Sequence, residues 1–218
     1  MGVEHGWIDR VVMSVSSSAR LPRTEEDRIN CPFFTKIGAC RHAGLCTRKH
    51  QKLAFSQTIL LRNMYYNPLI PHVNSGHSAM AMDALTMQQA YDDFLEEIVE
   101  ELSRYGKLED VQIVENLGDH MIGNVYAKYE DEEDAEKALK TLDGRFFAGR
   151  VLQAEYSPVT DFSEARCRQF DEDVCDRGPF CNFMHVRSPC NALRKYLKEK
   201  YNFYGLRMKG SATMRNFR

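Results

Sequence analysis

The sequence predicts an α+β fold in which a domain of order β-α-β-β-α-β lies between two small modules rich in cysteine and histidine. Two observations support this prediction. Short apolar runs alternate with two stretches of helical periodicity between residues 57 and 158. Three cysteines and one histidine recur at nearly the same spacing before and after that segment.

Four short apolar segments predict the strands of the central domain. They are residues 58–61, the stretch around Leu108, Val111 and Ile113, Val125–Tyr129, and residues 151–156. Such runs, bounded by turn residues, are typical of strands. Residues 66–86 contain two prolines and a glycine, and we expect them to form a loop after the first strand.

Two stretches predict helices. In residues 87–105, apolar side chains recur every three or four positions, and Gly106 follows the last of them. Ala135, Ala138 and Leu142 show the same spacing, and Gly144 marks the end of the second helix. The resulting order is the ferredoxin-like arrangement, in which the last strand lies antiparallel beside the first.

The repeated pattern supplies two complete sets of zinc ligands. The first set has the spacing C-x8-C-x5-C-x3-H and the second C-x7-C-x5-C-x3-H. The members are Cys31, Cys40, Cys46 and His50, and then Cys167, Cys175, Cys181 and His185. Three thiolates and one imidazole complete the tetrahedral shell of Zn²⁺, so we expect two structural zinc ions and no catalytic metal. Modules of this size need the metal in order to fold.

Composition argues against several classes of protein. Seven cysteines are an odd number, and Cys190 alone lies outside the ligand sets, which argues against a disulfide framework. No apolar run near Met1 resembles a secretory signal, so we expect a reducing compartment. No stretch of 18 apolar residues is present, and a membrane span is not expected. The remaining Cys, His, Asp and Glu residues show no ligand spacing, so we expect no enzyme.

A net charge of −2 conceals a strong segregation of charge. Residues 31–52 carry five Lys or Arg and no acid, whereas residues 91–101 carry six acids and no base. Residues 187–218 carry nine Lys or Arg against the single acid Glu199. Basic ends around an acidic middle predict two different partners, one of them polyanionic.

These observations divide the chain into five predicted segments. They are a disordered or loosely docked extension (1–28), zinc finger 1 (29–52), the central domain (57–158), zinc finger 2 (160–187), and a basic helix with a tail (188–218). The names finger 1, central domain and finger 2 are used below for these ranges.

The ligand spacing resembles that of the CCCH zinc fingers, whose members commonly bind single-stranded RNA. Bases stack on aromatic rings or Arg planes in such sites. The candidates for base contacts are therefore Phe33, Phe34, Arg41 and Arg48 in finger 1, and Arg168, Phe180 and Phe183 in finger 2. Whether Phe34 and Phe180 contact bases or pack against the metal loops stays open at this point.

The central domain resembles an RNA recognition motif (RRM) that has lost most of its stacking residues. Alignment with the two strand motifs places Leu60 and Asn124 where base-stacking aromatics belong, and Tyr126 keeps the third position. Each stacked base contributes about 1–3 kcal/mol, so this sheet is expected to bind RNA poorly. The pattern favours a protein-binding role for this domain.

The segment Arg145-Phe146-Phe147 resembles the R-x-F loop of the U2AF-homology motifs, a protein-binding branch of the RRM fold. In that branch a partner Trp inserts between the loop and an acidic first helix. The resemblance implies that the residues contacting the partner are Glu97, Glu101, Arg145, Phe146 and Phe147.

The whole arrangement resembles the small-subunit family of the U2 snRNP auxiliary factor over about residues 28–187. The shared strings are residues 36–42, 55–58, 116–120, 123–126, 157–162 and 181–185. The resemblance implies a nuclear pre-mRNA splicing subunit that recognises the AG of the 3′ splice site. It also implies a heterodimer with a large subunit, contacts with other splicing factors, and two zinc ions. The implied RNA-binding residues are Phe33, Arg41, Thr47, Arg48, Arg168, Gln169 and Phe183.

Two features depart from this family. Phe146 stands where its members usually have Trp, which weakens any reciprocal anchor on this side. The long Arg/Ser repeat of many members is replaced by a basic helix and a plain tail.

The predicted strand order has a consequence for the fingers. Finger 1 enters the domain where finger 2 leaves it, so we expect both fingers at one edge of the sheet, forming a composite RNA surface. Two other hypotheses are a protein-interaction adaptor with structural zinc fingers, and a CCCH-type regulator of mRNA decay or stability. The intervening domain and Arg145-x-Phe147 speak against the decay regulator.

Overall fold

The structure is a computed structural model that describes residues 25–68, 70 and 83–205. Most of the predicted extension, the middle of the loop 66–86 and the tail beyond 205 lie outside these residues. The described helices are α1 (Glu25–Ile29), α2 (Pro32–Ile37), α3 (Ala84–Leu102), α4 (Glu132–Leu142), α5 (Phe162–Ala165), α6 (Arg168–Asp171) and α7 (Asn191–Tyr201). The strands are β1 (Thr58–Arg62), β2 (Leu108–Ile113), β3 (Val125–Tyr129), β4 (Phe146–Phe147), β5 (Arg150–Val151) and β6 (Gln153–Tyr156). Two 3₁₀ turns span Ala43–Leu45 and Gly178–Phe180.

The predicted ferredoxin-like arrangement is confirmed. Four strands form an antiparallel sheet of order β2-β3-β1-β6. Ile59 pairs with Tyr156, so the end of β6 lies beside the start of β1. Helices α3 and α4 cover one face of this sheet. Ile59 and Leu61 of β1 point toward this face and pack against the apolar sides of the two helices. Their fully buried side chains include Tyr91, Leu95, Ile98, Leu102, Ala135, Ala138 and Leu142.

The first long helix begins and ends about three residues earlier than the sequence predicts. It starts after Asp83, the N-cap residue, and it runs from Ala84 to Leu102. Beyond that point the amides of Arg104 and Tyr105 bond to carbonyls three residues back, which tightens the last turn. The apolar spacing continues to Tyr105 although the α-helix has ended, and for this reason the predicted end is too late.

The predicted R-x-F loop is a strand rather than a loop. Phe146 pairs with Val151 and Phe147 with Arg150, so β4 and β5 form a two-residue hairpin. Its turn residues Ala148 and Gly149 have φ of 46° and 79°, the signs that a type I′ turn requires. The predicted fourth strand is consequently divided between this hairpin and β6.

The fingers lie across the second face of the sheet, which corrects the expectation that they sit at one edge. Leu60 and Tyr126 point away from α3 and α4 and belong to a second buried cluster. Finger 1 contributes Ile37 and Ala39 to this cluster. Finger 2 contributes Phe162, Ala165, Met184 and Val186. The strand order correctly brings the fingers together, but their apolar side chains are buried only when they pack on the sheet face.

Helix α7 packs against the central domain. Leu193 and Leu197 are buried in the core beside α3, and Phe203 closes the same cluster. The backbone amide of Cys190 donates to the buried carboxylate of Asp92 at 3.3 Å, which fixes the start of α7. Its basic residues therefore lie next to the acidic helix α3.

Candidate nucleic-acid interface

Finger 1 brings its four predicted ligands together. Cys31 immediately precedes α2, Cys40 follows that helix, and Cys46 ends the 3₁₀ turn. The ligand atoms of these cysteines and of His50 all lie within 4.8 Å of one another. The Sγ atoms of Cys40 and Cys46 are 3.9 Å apart. The arrangement has the donor set of a structural zinc site.

Finger 2 repeats this construction. Cys167 precedes α6, and Cys181 ends the second 3₁₀ turn. The Sγ atom of Cys167 lies 3.7 Å from that of Cys175 and 3.8 Å from that of Cys181. With His185, these ligand atoms also lie within 4.8 Å of one another. The two predicted clusters are thus both present.

Each histidine ligand stacks on a phenylalanine of its own finger. The rings of Phe34 and His50 are 4.6 Å apart and nearly parallel, at 8°. The rings of Phe170 and His185 are 4.1 Å apart, at 13°. Phe34 is therefore a buried packing residue of the metal loops. Phe170 was not among the predicted site residues, although both rings follow the first cysteine of their finger by three positions.

Two of the thiols lie where a negative charge is unfavourable unless a cation compensates it. Burial raises the pKa of Cys40 and of Cys181 to about 11. A hydrogen bond from the backbone of Arg48 lowers the pKa of Cys46 instead. The Nε2 atom of His50 is buried and has no hydrogen-bond partner among the described residues. Clustered buried thiols beside an uncommitted imidazole nitrogen are suited to a divalent ion, which would favour the thiolates.

The fingers contact each other directly. The guanidinium of Arg41 donates to the carbonyl of Phe180 at 3.1 Å. Lys36 of finger 1 pairs with Glu164 of finger 2 at 2.8 Å. The loop after β2 supports finger 2, since Asn116 donates to the carbonyls of Cys181 and Phe183 at 2.9 and 3.0 Å. One continuous surface therefore includes both fingers and the loop after β2.

The structure places the seven predicted RNA-binding residues as follows. Phe33, Arg41 and Thr47 of finger 1 are exposed, as are Arg168 and Gln169 of finger 2, whereas Arg48 and Phe183 are half-buried. Arg177, which was not predicted as a site residue, contacts two of the finger 2 members. It donates to Gln169 at 2.7 Å and lies over the ring of Phe183 at 5.8 Å.

The charges around the two clusters differ. Finger 1 presents its basic side chains without an acid of its own. In finger 2, Arg166 is buried and pairs with Asp171 at 2.7 Å, so it adds no charge to the surface. Glu172, Asp173 and Asp176 are exposed. Phe180 is 54% exposed, so this ring does not pack into the metal loops.

The sheet face that stacks bases in an RRM is closed. Leu60 is 1% exposed and Tyr126 is 0% exposed, so Tyr126 is not a stacking ring as the alignment suggested. Gly38 sits directly over it: a Cβ there would lie 2.9 Å from the Tyr126 ring and 2.7 Å from Ser157 Oγ. Asn124 is also buried and donates to the carbonyl of His120 at 3.1 Å. The platform is covered by the fingers as well as depleted of aromatics.

A cavity of about 360 Å³ lies between α3 and the β4–β5 hairpin. Its walls include Met64, Ile98, Leu142, Phe147 and Leu152, with Glu97, Glu100, Glu101, Arg104 and Arg145 around them. An apolar floor with a charged rim is typical of a pocket that anchors a side chain.

Arg145 and Glu101 join the two sides of this cavity through an ion pair. Tyr105 also donates to Glu101, at 2.9 Å. Burial alone would raise the pKa of Glu101, but the hydrogen bonds from Arg145 and Tyr105 lower it overall. Glu101 is only 19% exposed, whereas Phe146 is 69% exposed beside the cavity.

None of the described helices is both long enough and apolar enough to span a membrane. The RNA recognition motif family matches residues 94–153. Among solved structures, the RRM of RNA15 is similar with a TM-score of 0.30 at 16% identity, covering 48% of this chain and 92% of that one. The fold assignment therefore rests on the strand order and on the family match.

Relatives at much higher identity include three splicing factors. The U2AF 26 kDa subunit of Rattus norvegicus is 48% identical over 175 residues, covering 80% of this chain and 80% of that protein. The U2af 38 kDa subunit of Drosophila melanogaster is 48% identical over 177 residues, covering 80% and 67%. A U2af small subunit of Arabidopsis thaliana is 47% identical over 178 residues, covering 82% of this chain and 63% of the relative.

Proposed function

This chain belongs to the U2AF small-subunit family of splicing factors, and from that premise we propose that it is a non-enzymatic, RNA-binding splicing subunit. It recognises the AG of a 3′ splice site through its fingers, works in the nucleus, and binds a large subunit through its central domain. The direct contact between the fingers is the observation that best supports this function. Arg41 of finger 1 donates to the backbone of finger 2, so candidate residues of both fingers lie on one surface.

Each Cys₃His cluster is proposed to hold one structural zinc ion. The donor set, the convergence within 4.8 Å and the uncommitted Nε2 of His50 support this assignment. Four protein ligands leave no position for a reactive water, so zinc here would stabilise the fold only. Metal analysis of the purified protein should give two zinc equivalents per chain.

RNA binding is proposed to depend on stacking and on charge. Phe33 is 38% exposed and offers a ring to a base, while exposed Arg41 and Arg168 lie on the two fingers. The closed sheet face removes the alternative site, because Leu60 and Tyr126 are not accessible. A single strand is the expected ligand, since its bases are free to stack.

The test is the affinity of the chain, with large-subunit peptide bound, for short RNAs that differ only at AG. We expect an AG-containing RNA to bind at least tenfold more tightly than the CG counterpart. Phe33→Ala and Phe183→Ala should weaken binding to both RNAs, since each stacked base contributes about 1–3 kcal/mol. Equal affinity for AG and CG would remove the specificity from the proposal.

The large subunit is proposed to bind at the cavity between α3 and the hairpin. A Trp side chain would enter the apolar floor beside Phe147, and basic residues next to it would meet Glu97 and Glu100. Phe146, exposed beside the cavity, would add a smaller contact than the Trp usual in the family. A Trp-bearing peptide with a basic flank should therefore bind this chain.

Peptide binding can be measured by calorimetry with wild-type and variant chains. Phe147→Ala should weaken binding at least tenfold because it removes a wall of the cavity. Tyr204→Ala, at an exposed ring lining a different cavity, is the matched control and should leave the affinity unchanged. A peptide in which Ala replaces Trp should not bind measurably.

The adaptor hypothesis keeps one supporting observation, the closed sheet face. If Phe33→Ala and Phe183→Ala left RNA crosslinking unchanged while peptide binding persisted, the fingers would be structural and the chain an adaptor.

A further inference from the structure

The three acids at the rim of the cavity between α3 and the hairpin are not equally available to a partner. Glu101 pairs with Arg104 at 2.8 Å, in addition to its ion pair with the hairpin. Glu100 has Arg104 at 3.7 Å and Lys200 at 3.8 Å. Glu97 is exposed, and no Lys or Arg of the described residues lies within ion-pair distance of it. Two of the three acids therefore already have cations of this chain beside them.

Lys200 differs from the other cations at this rim because it belongs to a distant element. Arg104 follows α3 and Arg145 precedes β4, and both side chains line the cavity. Lys200 lies in the last turn of α7 and is not one of the described residues that line it. It reaches Glu100 because the buried leucines of α7 pack into the core beside α3. A substitution of Lys200 thus changes the charge at the rim and leaves the cavity walls intact.

Two tyrosines of α7 hold the ammonium group of Lys200 in place. The ammonium donates to the hydroxyl of Tyr196 at 2.6 Å. It also lies 5.1 Å from the centre of the Tyr196 ring and 4.9 Å from that of Tyr201. The two rings meet edge to face, and both pack against the core. Because these contacts already order the cation, it loses little further freedom when it pairs with Glu100.

A basic residue of a partner that approached Glu100 would compete with Lys200. Two cations beside one exposed carboxylate repel each other, so the second to arrive gains little. At Glu97 no Lys or Arg from the described part of the chain opposes the approach. A partner cation at Glu97 therefore gains its full electrostatic attraction, whereas one at Glu100 does not.

We propose that Lys200 is a specificity-determining residue that favours large-subunit segments whose basic residue meets Glu97 and disfavours those that place a cation at Glu100. The inference rests on the proposed function, since it requires that a Trp-bearing segment with a basic flank binds at this cavity. It gives α7, which lies outside the central domain, a part in the choice of partner.

The experiment measures the affinity of the full chain for two synthetic peptides by calorimetry. The first peptide contains one Trp with Arg residues on both sides of it, and in the second Gln replaces every Arg. Lys200→Gln removes the charge and keeps a side chain of similar length. In low salt this variant should bind the Arg peptide about two- to fivefold more tightly than the wild type does, the range for one exposed ion pair. It should bind the Gln peptide as the wild type does.

Further variants separate a local charge from other causes. Lys200→Arg keeps the charge and should retain the wild-type affinity for both peptides. Lys195→Gln is the matched control, because it removes an equal charge from α7 at a residue that lies 3.9 Å from Glu199 and not at the rim. It should leave both affinities unchanged. About 0.5 M salt should abolish the gain of Lys200→Gln, since exposed charges are then screened. Thermal midpoints verify that α7 stays packed in each variant.

A double-mutant comparison locates the competition at Glu100. In a chain that carries Glu100→Gln, the additional change Lys200→Gln should no longer alter the affinity for the Arg peptide. In a chain that carries Glu97→Gln, the same change should still raise that affinity, because Glu100 then remains to be released.

Several outcomes would overturn the inference. They are an unchanged or lower affinity of Lys200→Gln for the Arg peptide, an equal gain for the Gln peptide, an equal gain in Lys195→Gln, and a gain that persists beside Glu100→Gln. Failure of the proposed function is seen separately. If neither peptide binds the wild type, the cavity is not the partner site and the inference falls with it. If both peptides bind, Phe147→Ala weakens them and Lys200→Gln changes neither, the inference alone fails.

Discussion

Finger 1 and finger 2 have the same interior. In each, a helix begins after the first cysteine, a 3₁₀ turn ends at the third, and a phenylalanine stacks on the histidine. Their attachments to the sheet differ. Finger 1 contacts the buried cluster through Ile37 and Ala39, whereas finger 2 contributes two larger side chains, Phe162 and Met184, with Ala165 and Val186. Finger 2 is also bound by hydrogen bonds from Asn116.

The exposed surfaces of the two fingers differ in charge. Finger 1 carries basic residues and no acid, while finger 2 exposes Glu172, Asp173 and Asp176. The ligand spacing therefore determines only the interior of each finger. The residues that are not ligands determine how each finger attaches to the sheet and which charges it exposes. Finger 2 is the more firmly anchored of the two, and finger 1 is the more strongly attractive to a polyanion.

Loss of one metal should affect the two fingers unequally. Cys31→Ser and Cys167→Ser should each remove one zinc equivalent, because three ligands hold the ion poorly. We expect Cys167→Ser to destabilise the whole chain more, by about 4 kcal/mol or above, since finger 2 covers more of the sheet face. Zinc analysis and thermal denaturation of both variants measure this. Equal stability losses would mean that the larger apolar contact of finger 2 has no consequence.

Substitutions of the two stacked phenylalanines should have the second-largest effect on stability. Phe34 is 8% exposed, and Phe34→Ala should cost about 3 kcal/mol of the free energy of unfolding. Phe170 is only half-buried, so Phe170→Ala should cost about 1–2 kcal/mol. Phe180→Ala, at a ring that is 54% exposed, is the control and should stay within about 0.5 kcal/mol of the wild type. A Phe170→Ala effect as small as that of Phe180→Ala would contradict a stabilising role for the second stack.

Asp110 of β2, which lies beside the contact with finger 2, should make the stability of the chain depend on pH. Arg166 of finger 2 donates to Gln112 at 3.3 Å, and Gln112 donates to Asp110 at 2.8 Å. Burial raises the pKa of Asp110 to about 7 from an ordinary value of 3.8. Between these values the folded chain binds more protons than the unfolded chain, so stability falls as the pH rises from about 4 to 7.

Asp110→Asn isolates this effect. The variant should be more stable than the wild type by about 1–3 kcal/mol at pH 8, and the difference should shrink toward pH 5. Urea denaturation at several pH values gives the two curves. Glu109→Gln, at an exposed neighbour on the same strand, serves as the matched control. A constant difference across this range would show that Asp110 titrates normally.

Local patterns in the sequence predicted much of this architecture. The strand order and the two ligand sets could be predicted, because hydrophobic periodicity and metal-ligand spacing both depend on residues that are close together in the sequence. The position of the fingers on the sheet was not predictable in the same way. It depends on Leu60 and Tyr126, whose apolar character is equally consistent with a stacking platform and with a second core.

One signal for that second core was nevertheless present, and another marked the second ring stack. Gly38 ends α2 with φ of 74°, and any side chain there would collide with Tyr126. A glycine at this place indicates close approach of the finger to the sheet. The spacing Cys-x2-Phe in both fingers likewise indicates Phe170 as the counterpart of Phe34. The contact between Arg41 and the carbonyl of Phe180 joins two distant segments, so no local pattern marks it.

The smallest expected effect concerns the charge difference between the fingers. Arg48→Gln in finger 1 should weaken RNA binding about threefold and reduce the slope of log affinity against log salt by about 0.7, the value for one phosphate contact with a single strand. Asp176→Asn in finger 2 should strengthen binding by less, about twofold, and change that slope little, because an exposed acid repels the strand without contacting it. Titrations of one RNA at three salt concentrations measure both. If the two variants changed affinity in the same direction, the fingers would not differ in their electrostatic contribution to RNA binding. The difference between finger 1 and finger 2 would then lie only in how they pack on the sheet.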